Sequence, residues 1–232
     1  MKTAEDFKNG QVLLIDKPLE WTSFQAVNKL RWAIRKAYNI KKIKVGHAGT
    51  LDPLATGLLI ICTGKMTKQI NSFQGQEKEY TGTIALGSTT ASYDLETEIN
   101  ATFPTQHITN DLIHKTTKQF TGKIMQYPPV FSAIKKDGKR LYEFARQGED
   151  VEIKAREIEI SEFEITKIEN LNIDFRVVCS KGTYIRSLAH DFGKALDSGA
   201  HLSVLRRTRI GTYKVEDGPT PNDFIETLPS FS

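Results

Sequence analysis

The sequence predicts an α+β protein built on a mixed, largely antiparallel central sheet with flanking helices. Strand-like and helix-like segments are interspersed without the strict rhythm of βαβ units. The strand candidates mostly follow short hairpin-like turns, which favours antiparallel pairing. No Pro/Gly/Ser-rich linker, repeat or low-complexity segment divides the 232 residues. They read as one catalytic-size domain, 1–232, with an inserted excursion near 122–155 and a short tail at 214–232.

The elements follow in order. Gln11 to Asp16 is a short apolar strand ended by Lys17-Pro18. Thr22 or Ser23 caps a helix whose apolar residues Phe24, Val27, Leu30, Ile34 and Ala37 recur at helical spacing. Gly46 to Gly57 is a loop, Leu58 to Thr63 a buried strand, and Lys78 to Gly87 a strand rich in β-branched and aromatic residues. A helix runs from Thr109 or Asn110 to about Phe120. Gly122 to Pro129 is extended or turned, because Pro128-Pro129 forbids a regular helix. Gly138 to Gln147 has the pattern of a short amphipathic helix, and Val151 to Ile168 reads as strands. Leu171, Ile173, Phe175 and Val177 alternate, so 171–179 is a strand with one buried face. Tyr184 to Leu196 is a helix, Val204 to Tyr213 a strand, and Pro221 to Leu228 a terminal helical turn or two.

Composition excludes several classes. The apolar fraction is 39% and the charged fraction 26%, which rules out collagen, disulfide scaffolds and wholesale disorder. Cys62 and Cys179 lie far apart without a C-x-x-C, so they read as buried free thiols in a reducing compartment. The N-terminal segment lacks an apolar core for a secretion signal, and the longest apolar run, Leu58 to Cys62, is too short to span a membrane. These features predict a cytoplasmic protein.

The net charge of +4 is small but unevenly placed. From Trp21 to Leu51 there is no acid, against Lys29, Arg31, Arg35, Lys36, Lys41, Lys42 and Lys44. A second basic stretch from Phe175 to Lys214 holds Arg176, Lys181, Arg186, Lys194, Arg206, Arg207, Arg209 and Lys214 against Asp191 and Asp197. Between them, Glu149 to Asp174 carries nine acids and three bases. Two basic stretches parted by an acidic one point to a polyanion-binding face opposite a solvated one. The alternative is that each run merely solvates its helix.

The loop GHAGTLDPLATG, Gly46 to Gly57, is the most informative stretch. Three glycines and a proline within twelve residues give a fixed, irregular backbone. Asp52 precedes Pro53, which keeps it out of the helical region. It follows 31 residues without a carboxylate. A lone acid held against a basic surface is ionised, oriented and suited to act as a nucleophile. The bland alternative is an Asp-Pro turn. A phosphate-binding P-loop is excluded: Gly57 and Gly64 lie seven apart where that motif needs five, and Met66 stands where it needs Ser or Thr.

GHAGTLDPLATGLL resembles the signature of the TruB family of pseudouridine synthases. DKPLEWTS (16–23), KEYTGTIALGSTTASYDLE (78–96), GKIMQYPPVFSAIKKDGKRLYEFARQG (122–148), SKGTYIRSLAHDFG (180–193) and LRRTRIG (205–211) resemble further motifs of that family, in the same order. The resemblance spans roughly residues 11–213. It implies the pseudouridine synthase catalytic fold and the isomerisation of uridine 55, in the T arm of tRNA, to pseudouridine, with no cofactor, no metal and no energy source. The sequence itself holds no metal-ligand cluster and no dinucleotide loop.

The resemblance also implies roles. Asp52 is the catalytic aspartate; attack on ribose C1′, addition to C6 of the base and a glycal intermediate all stay open. The target base must be flipped out of its stack. Tyr80 stacks on it and helps remove the C5 proton, Tyr184 lies against it, and Leu205 lines its pocket. Arg186 is assigned as the bidentate partner of Asp52. On a regular strand Tyr184 and Arg186 would share a face, whereas at a helix start they would not. His47 contacts RNA beside the flipped nucleotide. Lys68 and Asp94 are supporting residues. Without the resemblance, each of these is as readily a core, surface or phosphate-binding residue. Lys135, Lys136, Lys139, Arg140 and Arg146 of the insertion are expected to grip the T arm.

Many family members continue into a small PUA-like RNA-binding domain. Here about twenty residues follow Gly211, which predicts no such C-terminal domain and a smaller tRNA footprint. The implied partner is the tRNA T-arm stem-loop, bound by a monomer without guide RNA and away from membranes. The competing reading is a tRNA-binding chaperone without chemistry, which would need the basic stretches but no buried acid.

Overall fold

The computed structural model describes residues 2–132, 135–136, 139–140 and 153–229. Part of the insertion expected to grip RNA, including Arg146, lies outside them. In chain order the first elements are α1 (Ala4–Asn9), β1 (Val12–Lys17), α2 (Ser23–Ala37), β2 (Val45–His47), β3 (Ala55–Thr63), α3 (Ile70–Gly75) and β4 (Lys78–Leu86). Next come β5 (Ser88–Thr90), β6 (Ile99–Thr102), α4 (Asn110–Thr117), β7 (Gly122–Gln126), β8 (Lys135–Lys136) and β9 (Lys139–Arg140). The chain closes with β10 (Arg156–Glu169), β11 (Asn172–Cys179), α5 (Ile185–Ala195), β12 (Ala200–Ile210), β13 (Tyr213–Lys214) and α6 (Pro221–Glu226). A 3-10 turn, Gly64–Gln69, joins β3 to α3.

The fold is α+β, as the sequence predicts, and its strand pairing is mixed. β3 pairs antiparallel with β1 and β2, β10 with β7 and β11, and β12 with β13, whereas β3 and β12 run parallel. The chain forms two compact units, one of residues up to Tyr80 together with those from Leu205 onward, the other Thr81–Val204.

In the first unit β3 is central. β1 lines one edge along its length, from Val12 opposite Cys62 to Lys17 opposite Gly57. The other edge is shared. β12 runs parallel to its start, with Leu205 opposite Ala55, and β2 runs antiparallel to its end, with Val45 opposite Thr63. Both faces of β3 are covered, which explains its unbroken apolar run. Leu59 and Ile61 pack with Phe7, Leu13, Ile15 and the inner face of α2, Val27, Leu30 and Ile34. Leu58, Ile60 and Cys62 pack with Phe73, Ile210 and Val215 on the opposite side. Burial alone pushes the Cys62 thiol up to about 11, so this cysteine is an inert core residue.

In the second unit the long β10 pairs with β11 on one side and β7 on the other. Phe163 meets Phe175 and Phe192 edge-on, at centroid distances of 6.0 and 5.4 Å, which fixes α5 on this sheet.

Several expectations are corrected. Thr22 caps α2 through a capping box with Gln25, as expected. Phe24, however, is 65% exposed, and Ala26 and Ala33 take the inward positions instead. The loop expected over 46–57 is shorter, since β2 includes Gly46 and His47, and β3 begins at Ala55. Within the helix expected over 138–147, Lys139 and Arg140 are strand, paired with Lys136 and Lys135; the remainder lies outside the described residues. The strand expected over 204–213 begins earlier and is broken by a turn at Gly211 before β13. Helix α1 was not foreseen.

Candidate active site

Asp52 sits on the segment that links β2 to the start of β3. The chain leaves β2 at His47, opposite Ile61, and must travel back along β3 to start it at Ala55. The returning segment cannot be regular, and its polar backbone groups need other partners. The Ala48 amide donates to the Ile60 carbonyl at 2.9 Å. Beyond it the Leu58 carbonyl lies between the two ladders, and the Arg207 guanidinium fills that gap. Its Nε donates to Leu58 O at 2.8 Å and its Nη2 to Gly49 O at 3.1 Å. Arg207 is 1% exposed, so it is a structural clamp rather than a surface charge. Its strand comes close enough because Gly57, at φ +103°, has no side chain: a β-carbon there would run into the Arg207 backbone.

The residues on either side of Asp52 are pinned from the 16–23 segment. The Ser23 hydroxyl donates to Leu51 O at 3.0 Å and accepts from Leu51 N at 2.8 Å. The Glu20 amide donates to Pro53 O at 2.8 Å. Lys17 Nζ donates to Trp21 O at 2.6 Å, Pro18 O at 2.9 Å and Pro53 O at 3.5 Å. The Ala55 amide closes the turn on the Asp52 carbonyl at 3.1 Å. Asp52 is thus a half-buried carboxylate on a backbone fixed at Gly49, Leu51 and Pro53.

Two buried cations define the electrostatics. Burial pushes Lys17 down to about 8, reinforced by nearby Arg207 and opposed by Asp52 and Asp16. Asp16 itself is held by Arg206, at 2.7 and 3.1 Å. His47 lies below the usual histidine range, first from burial and then from the Arg207 charge, with the Gly49 backbone pulling the other way. It is therefore a neutral, half-buried ring beside the loop, suited to stacking or donating one hydrogen bond.

Leu205 is half-buried opposite Ala55, at the start of β3. Tyr80 is buried on β4. Lys68 is elsewhere: it lies on the 3-10 turn at the far end of β3 from Asp52. Nine strand residues at ~3.3 Å each put the two ends on the order of 25 Å apart.

The second unit carries the other expected residues. Tyr184 is the N-cap of α5, so it does not share a strand face with Arg186. The buried Gln126 side chain holds Tyr184 at both backbone groups, accepting from its N–H at 2.8 Å and donating to its carbonyl at 3.0 Å. Within this unit Arg186 donates to Ser92 O at 3.0 Å and Phe131 O at 2.8 Å, and lies 3.6 Å from Asp94. Arg186 and Asp94 are each 5% exposed. Asp94 Oδ1 accepts from Glu96 N, while its carbonyl accepts from the Thr90 and Ser92 hydroxyls. Asp94 is therefore the acidic partner of Arg186 within this unit.

Sequence reasoning gave Lys17, Ser23, Gln126 and Arg207 no role at the site. Lys17 and Ser23 lie in DKPLEWTS, Arg207 in LRRTRIG and Gln126 in the insertion motif. The available signal was membership of those motifs.

Residues 35–185 match the family described as TruB family pseudouridylate synthase (N terminal domain). Residues 186–228 match the tRNA pseudouridylate synthase B C-terminal domain. The fold and its matched motifs define the class as pseudouridylate synthases. Within that class the chain belongs to the TruB family. It is 66% identical over 227 residues to a Flavobacterium johnsoniae protein named tRNA pseudouridine synthase B, covering 97% of this chain and 99% of that one. A Phocaeicola vulgatus protein of the same name is 58% identical over 223 residues, covering 96% and 95%. Among solved structures, a chain of a Cbf5-Nop10-Gar1 complex matches with a TM-score of 0.72 at 32% identity. That match covers 97% of this chain but spans only 56% of the solved one. Among the described residues no helix is long and apolar enough to cross a membrane.

Proposed function

We propose that this chain isomerises uridine to pseudouridine at position 55, in the T arm of tRNA, with Asp52 starting the chemistry. The observation that carries the reading is the pinned loop: Asp52 lies within the residues matched to the family, and the backbone around it is held by Ser23 at Leu51, Lys17 at Pro53 and Arg207 at Gly49. Similar proteins named tRNA pseudouridine synthase B support tRNA as the substrate.

The reaction needs no second reactant. The bond from ribose C1′ to N1 breaks, the uracil turns, and C5 bonds to C1′. The proton leaves C5 and N1 takes one up. The base has to leave its stack first. We assign Tyr80 to stacking and C5 deprotonation, Leu205 to the base pocket and His47 to the RNA beside the flipped nucleotide. Tyr184, Arg186 and Asp94 are assigned to the same reaction on the strength of the resemblance. The whole chain acts as one catalytic domain, as a cytoplasmic monomer needing neither guide RNA nor cofactor.

The test is chemical mapping of pseudouridine in unmodified tRNA incubated with purified wild type or Asp52→Asn, with no guide RNA or cofactor. Pseudouridine at a single T-arm uridine with wild type only is the expected result. Tight tRNA binding by both proteins without pseudouridine from either would overturn it in favour of a chaperone.

A further inference from the structure

The end of β3 remote from Asp52 opens into a notch of about 290 Å³ on the first unit. Lys8, Lys42, Lys44, Lys65 and Lys68 line it, around Gly64, and no carboxylate is among its lining residues. The lysines come from three segments: the last turn of α1, the chain entering β2, and the 3-10 turn after β3.

The backbone forces these segments together. Gly64 sits at φ +51°, and a β-carbon there would run into the Lys8 carbonyl. Its amide donates to Lys44 O at 2.8 Å. The Thr63 hydroxyl donates to Phe7 O at 2.9 Å and accepts from Gln11 N at 3.0 Å. A β-carbon on Gly10 would come within 2.6 Å of Met66 N. The convergence is therefore built in rather than an accident of long side chains. The carboxylates of α1 are turned to other work: Asp6 forms the capping box with Thr3, and Glu5 accepts from Asn9. Lys65 donates to the neutral Asn9 side chain, at 3.0 Å.

Like charges gathered this closely repel one another, and an anion relieves the repulsion. We propose that the notch holds backbone phosphates of the substrate RNA at a point distant from the target uridine. This deepens, and rests on, the function proposed above. Roughly 25 Å of separation corresponds to about seven stacked steps at 3.4 Å each, so the anchored phosphates belong to a different part of the tRNA from the flipped base. The notch sets where the body of the tRNA lies, while the Asp52 loop receives the base.

The test compares wild type with a quadruple variant, Lys8→Gln, Lys42→Gln, Lys44→Gln and Lys65→Gln, in binding to whole unmodified tRNA and to an isolated T-arm hairpin across a salt series. The dependence of log affinity on log salt for whole tRNA is expected to flatten by about two to four, with roughly tenfold or greater loss of affinity at low salt. The hairpin's dependence is expected to stay as in wild type. A control replacing the exposed Lys115, Lys118 and Lys167 by Gln is expected to change neither. An unchanged slope with whole tRNA overturns the proposal. So does an equal loss with the hairpin, or an equal loss from the control. Calorimetry with inorganic phosphate separates the sources. Saturable, lysine-dependent binding of phosphate with an unchanged tRNA slope would assign the notch to free phosphate and overturn the RNA reading. If wild type modifies the hairpin, the functional reading stands whatever the slope shows; if it modifies neither RNA, that reading fails first.

Discussion

One hydroxyl holds both backbone groups of the residue before Asp52: Ser23 Oγ donates to Leu51 O and accepts from Leu51 N. Ser23 is the first residue of α2 and is 2% exposed, so water cannot replace it there. Replacement by alanine leaves a buried amide and carbonyl unpaired, at a cost of about 1–3 kcal/mol. Ser23→Ala is expected to lower the midpoint of urea unfolding and to slow single-turnover pseudouridine formation more than it weakens tRNA binding. A wild-type turnover rate in this variant would mean that the clamp does not set the position of Asp52.

Arg207 makes the matching clamp from the strand side. Leucine in its place leaves the Leu58 and Gly49 carbonyls without their donor, and destabilisation on the order of 3 kcal/mol is expected. Lysine cannot reproduce the fork and is expected to recover only part of the loss. The same substitution has an electrostatic signature. Because the Arg207 charge helps to depress His47, Arg207→Leu is expected to raise the His47 pKa toward the ordinary histidine value. Histidine resonances followed through a pH titration check this. An unmoved His47 would show that burial alone sets it.

Much of the site was legible because its constraints are written in residue type. A glycine-rich loop of irregular backbone, and an aspartate before proline, can be read from one sequence. Lys17 and Arg207 could not be read in this way. Both are cations whose partners are backbone carbonyls, and no side-chain pattern reveals such partners. Arg207 therefore counted among phosphate-facing charges, although it is almost wholly buried. The same blindness affected α2, where helical spacing turned Phe24 inward. The structure exposes it and buries the small Ala26 and Ala33 against the sheet, a choice made by tertiary fit rather than hydrophobicity. Helix α1 escaped notice because it has six residues and only one buried apolar side chain, Phe7.

Lys17 predicts a response to alkali. Its ammonium has three protons and donates to three carbonyls, the weakest contact being with Pro53. The folded value is about 8 against 10.5 for the free side chain. Between these values the unfolded chain keeps a proton that the folded chain has released, so this residue makes stability rise with pH over that window, by about 2 kcal/mol after solvent screening. Lys17→Met is expected to remove that rise, as read from urea unfolding at pH 7.5 and 10. Activity runs the other way. The neutral amine can donate to only two carbonyls, Pro53 is released, and turnover is expected to decline above about pH 8 while tRNA affinity at constant ionic strength holds. A flat turnover profile to pH 9.5 would remove Lys17 from the positioning of the loop.

The second unit contains an acid-sensitive pair. The ring of Tyr93, a residue forced to φ +66° by the tight turn before Asp94, stacks on His190 of α5 at 3.8 Å and 11°. Burial, with Lys194 adding its charge, pushes His190 down to about 4. Below the ordinary histidine value the unfolded chain takes up a proton that the folded chain refuses, so stability falls as pH drops from about 6.5 toward 4. Asp191 works against this: burial holds its carboxyl above the usual range, so the folded chain binds that proton more readily than the unfolded one. His190→Phe keeps an aromatic ring against Tyr93 but cannot be protonated. It is expected to unfold at the same urea concentration as wild type near pH 7.5 and at a higher one near pH 4.5. The Tyr93–His190 stack lies next in sequence to Asp94, the acidic partner of Arg186. Wild-type turnover should therefore decline with acid along the same profile, and the decline should be shallower in His190→Phe. Identical acid profiles for the two proteins would show that protonation of this ring has no bearing on either the fold or the reaction.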